Sequence, residues 1–311
     1  MCSLITRFRD IILKNPISNA AGVMGCHTDE LDQMLRSHSG AMITKSATLL
    51  SRPGNKWPAY WEDSQISVNS MGLPNNGVEY YIDYISNLPK DKPCFLSIAN
   101  IDNEDTGDIM EYVNELDYIK YPEINVSCPN IEGKEQMAYN YEALDDFLTN
   151  IMDKNYSKPY GLKLPPYFDP VHINLVGDIV ESHPNIVYLT CVNSIGNALH
   201  IDMETEKSVI LPKSGLGGLG GDYILPVALS NVYQFKKRLP HLDIIGCGGI
   251  RSGEDVFKHI LVGATFVQIG THLNRSGIGC IERIVEDLRR IMIRKGYTNL
   301  DDFRGHYTQY N

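Results

Sequence analysis

Short apolar runs alternate with amphipathic stretches eight times along these 311 residues, and that order constrains the fold more than any other property of the chain. The runs lie at 17–21, 41–44, 94–99, 123–126, 160–164, 186–192, 243–246 and 265–269. Helical patterns follow them at 28–37, 77–88, 105–117, 141–153, 170–183, 224–238, 253–262 and 278–295. Parallel strands need a long crossover, which a helix supplies, so this alternation predicts a parallel α/β sheet. Eight pairs predict a closed (β/α)8 TIM barrel, which needs roughly 250 residues plus insertions. Residues 6–13, broken at Arg9 and Asp10, predict a small hairpin flooring it. No repeat, low-complexity tract or linker divides the chain, so residues 1–311 are expected to form a single domain.

Three connections, 46–76, 127–140 and 193–223, far exceed the usual length of about 2–6 residues for a loop between a strand and a helix. All three follow strands. They are therefore expected to be long βα-loop insertions over the C-terminal face, where barrels of this kind build their sites.

Composition narrows the ligand. A formal net charge of −10 argues against wholesale nucleic-acid binding, so an anionic ligand would depend on a few local lysines and backbone N–H groups. Seven scattered cysteines without a C-x-x-C pair suggest neither a disulfide framework nor a metal site, and a reducing cytoplasm is the expected compartment. The first ten residues contain no signal-peptide core, and no run approaches the ~18 apolar residues of a membrane span, so no membrane association is expected.

The segment Asn125-Val-Ser-Cys128-Pro-Asn130 places a thiol between two carboxamides at the end of the fourth run. Pro129 biases Cys128 toward an extended conformation, and each carboxamide both donates and accepts hydrogen bonds. The thiol there is a nucleophile or a general base. Gly246 to Gly253 and Gln268-Ile-Gly270-Thr271 follow runs seven and eight, where backbone N–H groups and a helix N-terminus favour phosphate, although glycines there also simply make tight turns. Lys45 and Lys163 close or nearly close runs two and five. Strand-end lysines are ordinarily solvated, but this pair beside a phosphate site suits flavin mononucleotide, FMN. Asn69-Ser-Met71-Gly72-Leu73-Pro74-Asn75 offers N–H groups for a small carboxylate, and Asn193-Ser194-Ile-Gly196-Asn197 adds further polar groups; both also read as polar turns. Gly215 to Gly221 lacks the G-K-[ST] ending of a nucleotide triphosphatase loop.

These motifs, with Asn19-Ala-Ala-Gly22, Thr44-Lys45-Ser46, Lys163-Leu-Pro-Pro166, Gly217-Gly218-Leu-Gly220-Gly221, Gly248-Gly249-Ile250, Lys295-Gly-Tyr and Asp302-Phe-Arg-Gly305, resemble dihydroorotate dehydrogenase in order over nearly the whole chain. Cysteine at position 128 resembles the soluble class 1 enzymes, and Asn193-Ser194-Ile195-Gly196-Asn197 resembles class 1A among them, the homodimeric, fumarate-dependent enzymes; Arg52 and Lys134 match that class too. The membrane-associated class uses serine as its base.

The resemblance implies oxidation of dihydroorotate to orotate through FMN in pyrimidine biosynthesis, with fumarate reduced to succinate. It makes Cys128 the base. Asn69, Asn125, Asn130, Asn193 and Ser194 would hold the pyrimidine, and Lys45 with Met71, Gly72 and Leu73 its carboxylate. FMN would lie against Ala20, Ala21, Gly22, Lys45, Ser46, Asn125, Lys163, Val192, Gly221, Gly248, Gly249, Gly270 and Thr271. The loop 127–140, with Gly133, would open for exchange. Two departures stand out: His272 where a small residue is common, and Asn100 where glycine is usual.

Rival readings remain. One is an NAD-linked class 1B catalytic subunit needing an iron–sulfur flavoprotein partner. Another is a sugar-phosphate aldolase or isomerase with Lys163 as Schiff base, and a third is a non-catalytic flavin-binding module. A cysteine protease would want an oriented histidine, and the nine histidines form no local signature with Cys128.

Overall fold

A computed structural model describes residues 2–89, 91–128, 136–153 and 156–309. The chain opens with a hairpin, β1 (Thr6–Phe8) and β2 (Ile11–Leu13). β3 (Ile17–Asn19) leads to α1 (Thr28–Arg36), and β4 (Met42–Ile43) leads through β5 (Tyr60–Glu62) and β6 (Ile66–Asn69) to α2 (Val78–Ser86). β7 (Cys94–Phe95) and β8 (Ser97–Ala99) precede α3 (Asn103–Asn114), β9 (Glu123–Asn125) precedes α4 (Tyr141–Asp153), and β10 (Tyr160–Leu164) precedes α5 (Pro170–Ser182). After β11 (Ile186–Cys191) come β12 (Ile195–Leu199), β13 (Ile201–Asp202), β14 (Lys207–Ser208) and β15 (Leu216–Gly221), then α6 (Leu225–Arg238). The chain ends with β16 (Asp243–Cys247), α7 (Gly253–Leu261), β17 (Phe266–Ile269), α8 (Thr271–Ser276) and α9 (Gly279–Lys295).

All eight expected strand–helix pairs form, the third strand being split into β7 and β8. A parallel sheet runs in the order β3-β17-β16-β11-β10-β9-β8, while β4 pairs with β7. The last seam, between β3 and β4, is closed by Gly40 N–H donating to Ile17 O at 2.8 Å and by the side chain of Asn19. β10 and β11 are buried along their whole length, as parallel strands covered on both faces must be. Gly161 is required in β10, because a Cβ there would lie 2.2 Å from the Tyr188 ring.

Three of the helices start where side chains satisfy their free N–H groups. Asp102 and Asp169 cap α3 and α5, and Ser252 with Asp255 forms a capping box on α7. Gly296, in the left-handed region at φ +80°, ends α9.

The hairpin floors the barrel as expected. Phe8 is fully buried and meets Phe95, Tyr121, Tyr188 and Phe266 edge-on at 5.2–5.5 Å. Each such pair adds about 0.5–1.5 kcal/mol beyond area burial, so the plug fixes the barrel's closed end. At the other end, two of the long loops join. β5 and β6 from one pair with β15 and β12 from the other, giving an antiparallel sheet in the order β12-β15-β6-β5. Residues 216–221 of the glycine run thus form a strand rather than a loop. Among the described residues no helix is long and apolar enough to cross a membrane.

Candidate active site

The strands' C-terminal ends and the antiparallel sheet enclose a cavity of about 350 Å³. Every described residue expected at the site lines it except Gly72. β3 runs out into Ala20, Ala21 and Gly22, and β4 into Lys45 and Ser46. Asn125 and Cys128 come from the end of β9, Lys163 from β10, and Val192, Asn193 and Ser194 from the exit of β11. Asn69 ends β6, Met71 and Leu73 follow it, and Gly221 ends β15. Gly248, Gly249, Gly270 and Thr271 complete the wall. Cys128 is half-buried at the edge. Asn130, Gly133 and Lys134 lie outside the described residues. Arg52 stands away from this lining, bridged to Asn75 in the outer loop.

Lys45 is buried, and its backbone N–H donates to Gly25 O at 2.8 Å. Gly22, at φ +100°, lets the ammonium lie across its backbone; a Cβ there would sit 2.9 Å from Lys45 Nζ. Burial holds the Lys45 pKa below the usual lysine range. Cys26 and Cys128 pull it back up, while Lys163 pushes it further down. Two lysines that influence each other in a confined space make the cavity attractive to anions. Lys163 is buried too, and its Nζ donates to Gln268 Oε1 at 3.3 Å.

Two of the carboxamides, Asn125 and Asn193, are joined through Ser127, and Asn69 is held separately on the antiparallel sheet. Asn125 Nδ2 donates to Ser46 Oγ at 3.3 Å, and its Oδ1 accepts from Ser127 Oγ at 2.9 Å. Asn193 Nδ2 donates to Ser127 Oγ at 2.9 Å, and its Oδ1 accepts from Ser194 N–H at 2.8 Å. Asn69 Nδ2 donates to Gly218 O at 3.2 Å. Several of these bonds are at the long end of the range, which suits polar groups that also serve a flat ligand.

Gly72 and Leu73 both adopt positive φ, +69° and +58°. The loop is held so by Asn55, whose N–H donates to Met71 O and whose side chain donates to Ser70 O, both at 2.8 Å. A non-glycine residue in this region costs about 1–2 kcal/mol, so the loop that brings Met71 and Leu73 to the cavity wall is held in a strained conformation.

The glycine turn behaves differently from expectation in one respect. The N-terminus of α7 is not open to a ligand anion, because the chain's own carboxylates occupy it: Arg251 and Ser252 N–H donate to Asp255, and Gly253 N–H donates to Asp287 at 2.9 Å. What meets the cavity is the backbone of Gly248, Gly249 and Ile250 just before it. Gly248 and Gly249 have φ +125° and +73°, and a Cβ on Gly249 would fall 2.4–2.7 Å from Leu225. His259 supports the turn from behind, its Nε2 lying 3.2 Å from Gly248 O. At the same end Ser67 and Thr271 hydroxyls share a 2.8 Å bond.

The cavity also has wall residues that local motifs did not point to, among them Tyr60, Ser67, Asp222 and Asn274. Tyr60 and Ser67 come from the antiparallel sheet, Asp222 from the turn after β15 and Asn274 from α8, brought in by pairing over long separations that no local motif announces. Of the two departures, His272 does line the cavity, half-buried, and burial followed by Arg275 holds its pKa below the usual histidine value. Asn100 is not among the residues with positive φ, so glycine is not needed there. No group of three or more metal-binding side chains occurs among the described residues.

The sequence profile described as "Dihydroorotate dehydrogenase" matches residues 3–292. A Kluyveromyces lactis protein named "Dihydroorotate dehydrogenase (fumarate)" is 45% identical over 308 residues, covering 97% of both chains. A Streptococcus pyogenes protein carrying the same fumarate designation is 47% identical over 310 residues, covering 98% of both. In three dimensions, a ligand-free dihydroorotate dehydrogenase from Eimeria tenella aligns with a TM-score of 0.81 at 19% identity, over 99% of this chain and 92% of that one. That likeness speaks to the fold.

Proposed function

The chain belongs to the dihydroorotate dehydrogenase family, and on that premise we propose that it oxidises dihydroorotate to orotate with fumarate as electron acceptor. The family implies a flavin cofactor, and we read it as FMN held in a single barrel domain spanning residues 1–311. The observation that carries the reading is the convergence of Cys128, Lys45, Lys163 and the carboxamides of Asn69, Asn125 and Asn193 on one cavity.

The residues present fit FMN. A cavity of this volume suits a small-molecule cofactor, for which pockets run to roughly 300–1,000 Å³. The Gly248–Ile250 backbone, with Gly221, Gly270 and Thr271, suits the phosphate. Ala20, Ala21, Gly22, Ser46, Asn125 and Val192 suit the ring system, with Lys163 beside its pyrimidine portion. When bound, the flavin supplies the acceptor for the hydride leaving C6 of the substrate.

The chain's own groups do the rest. Lys45 and the backbone N–H groups of residues 71–73 hold the substrate carboxylate. Asn69, Asn125, Asn193 and Ser194, with Asn130 from the sequence motif, match the alternating N–H and C=O groups of the pyrimidine. Cys128, reaching the cavity from its edge, takes the proton from C5. A thiol is a workable base near neutral pH, and Lys45 is the lysine in electrostatic reach of it. Fumarate, itself a carboxylate, would use the same anion-binding groups.

We further propose a cytoplasmic homodimer. Leu199, Ile201, Met203 and Leu211, all more than half exposed, place apolar side chains on and beside the β12–β14 segment, a surface suited to a second copy. The NAD-linked form is disfavoured by the fumarate designation of the relatives.

The test is an anaerobic titration of the purified protein with dihydroorotate, followed by flavin absorbance. Bleaching, reversed by added fumarate, is the expected result. A flavin that stays oxidised removes the substrate, and bleaching that fumarate does not reverse removes the acceptor.

A further inference from the structure

Beneath the cavity lies a run of buried polar groups, of which the chemistry above uses only Lys163. Glu123 on β9, Thr190 on β11, Gln268 on β17 and Lys163 on β10 are each 3% exposed or less. Thr190 Oγ1 and Gln268 Nε2 both donate to Glu123 Oε2, at 2.6 and 3.0 Å. Gln268 Oε1 in turn accepts from Lys163 Nζ at 3.3 Å. Glu123 Oε1 meets no hydrogen-bond partner among the described residues. Burying a carboxyl so incompletely satisfied is costly, and such groups call for a reason beyond packing.

A carboxamide has one donating end and one accepting end. With its Nε2 committed to the Glu123 carboxyl, Gln268 can present only oxygen to Lys163. The reverse orientation would set an amide N–H against the ammonium and an oxygen against the carboxyl. Glu123 therefore fixes which way Gln268 points, and Gln268 anchors a lysine whose side chain is otherwise flexible.

We propose that Glu123 and Gln268 are positioning residues that hold the Lys163 ammonium against the bound flavin and thereby set the flavin's reduction potential. The proposal rests on the reading above that this cavity holds a flavin beside Lys163. A positive charge held there favours the electron-rich, reduced state. Letting it drift weakens that preference.

The experiment measures the midpoint potential of the bound flavin in the wild-type holoenzyme, in Gln268→Leu and in Glu123→Gln, and repeats each variant in a Lys163→Met background. Flavin content and thermal unfolding are recorded alongside. Both single variants should lower the potential, shifting the reduced-to-oxidised ratio at least tenfold, or about 30 mV for two electrons. The shift should vanish when Lys163 is methionine. A shift that persists without Lys163 overturns the proposal, as do unchanged potentials. A raised potential in Glu123→Gln overturns it as well, since Glu123 would then act directly through its charge. If Gln268→Leu does not fold, the near-isosteric Glu123→Gln carries the test, and the sign of its shift alone decides if Lys163→Met holds no flavin. A wild-type chain that takes up no flavin sinks the underlying reading and this proposal with it; a flavin-loaded chain with flat potentials sinks this proposal alone.

Discussion

The side chain of Asn19 hydrogen-bonds both peptide groups of Ile43: Nδ2 donates to Ile43 O at 2.8 Å, and Oδ1 accepts from Ile43 N–H at 2.9 Å. Nδ2 also donates to Val23 O at 2.8 Å. A carboxamide thus does the work of a β-ladder at the seam between β3 and β4, and Ala20, Ala21 and Gly22 follow directly from it into the cavity. Asn19→Ala would leave buried backbone groups unsatisfied and should cost about 2–4 kcal/mol in denaturant unfolding. Flavin affinity should fall with it. Wild-type stability in that variant would mean that the backbone alone closes the barrel.

Lys45 trades stability for binding. Because burial lowers its pKa, the folded protein binds fewer protons than the unfolded chain between that lowered value and the ordinary lysine range. The penalty is therefore present below this window and lifts as pH rises through it. Lys45→Met should stabilise the ligand-free protein by about 0.5–2 kcal/mol at neutral pH, read as a higher Tm, while orotate binding collapses. Undiminished orotate affinity by titration calorimetry would remove Lys45 from the carboxylate site.

His259 gives the fold an acid limit. Burial holds its pKa down to about 4, against the partial opposition of its bond to Gly248 O. The unfolded chain takes up this proton as pH falls through about 6.5, whereas the folded protein resists until about 4. Stability present above that window is lost across it, by up to about 3 kcal/mol. His259→Gln should flatten the fall in Tm between pH 7 and 4. An equal slope in the variant would assign the acid sensitivity elsewhere.

The barrel was legible because its signals are local: each barrel strand is a short apolar run, and helices such as α3, α5 and α7 carry their own caps. The extra sheet was not. Gly217, Gly218 and Gly220 lie within the long connection 193–223, yet they are strand residues pressed against partners. A Cβ on Gly217 would lie 2.5 Å from Asn69 O, and one on Gly218 2.1 Å from Ser194 Oγ. Nothing near residue 217 announces residue 69. The same limit applies within the site, where Cys128 and the lysines sit in recognisable motifs. Glu123 looks like one more strand residue until the fold brings Thr190 and Gln268 to it. Likewise the helix end after Gly249 reads as an anion site until Asp255 and Asp287 are seen to occupy its N–H groups.

Cys128 stands at the edge of the cavity, and its proposed role can be separated from binding. Cys128→Ser changes one atom and leaves the flavin's contacts alone, so flavin content should match the wild type. A hydroxyl ionises far less readily than a thiol, and general base catalysis is typically worth about 10²–10⁴-fold. Stopped-flow mixing with dihydroorotate should therefore show flavin reduction slowed by that order near pH 7. The deficit should narrow as pH rises, because the serine variant gains base strength over a range where the thiol, with an ordinary pKa of about 8.5, is already ionised. A serine variant that reduces its flavin at the wild-type rate at neutral pH would mean that another group takes the proton from C5.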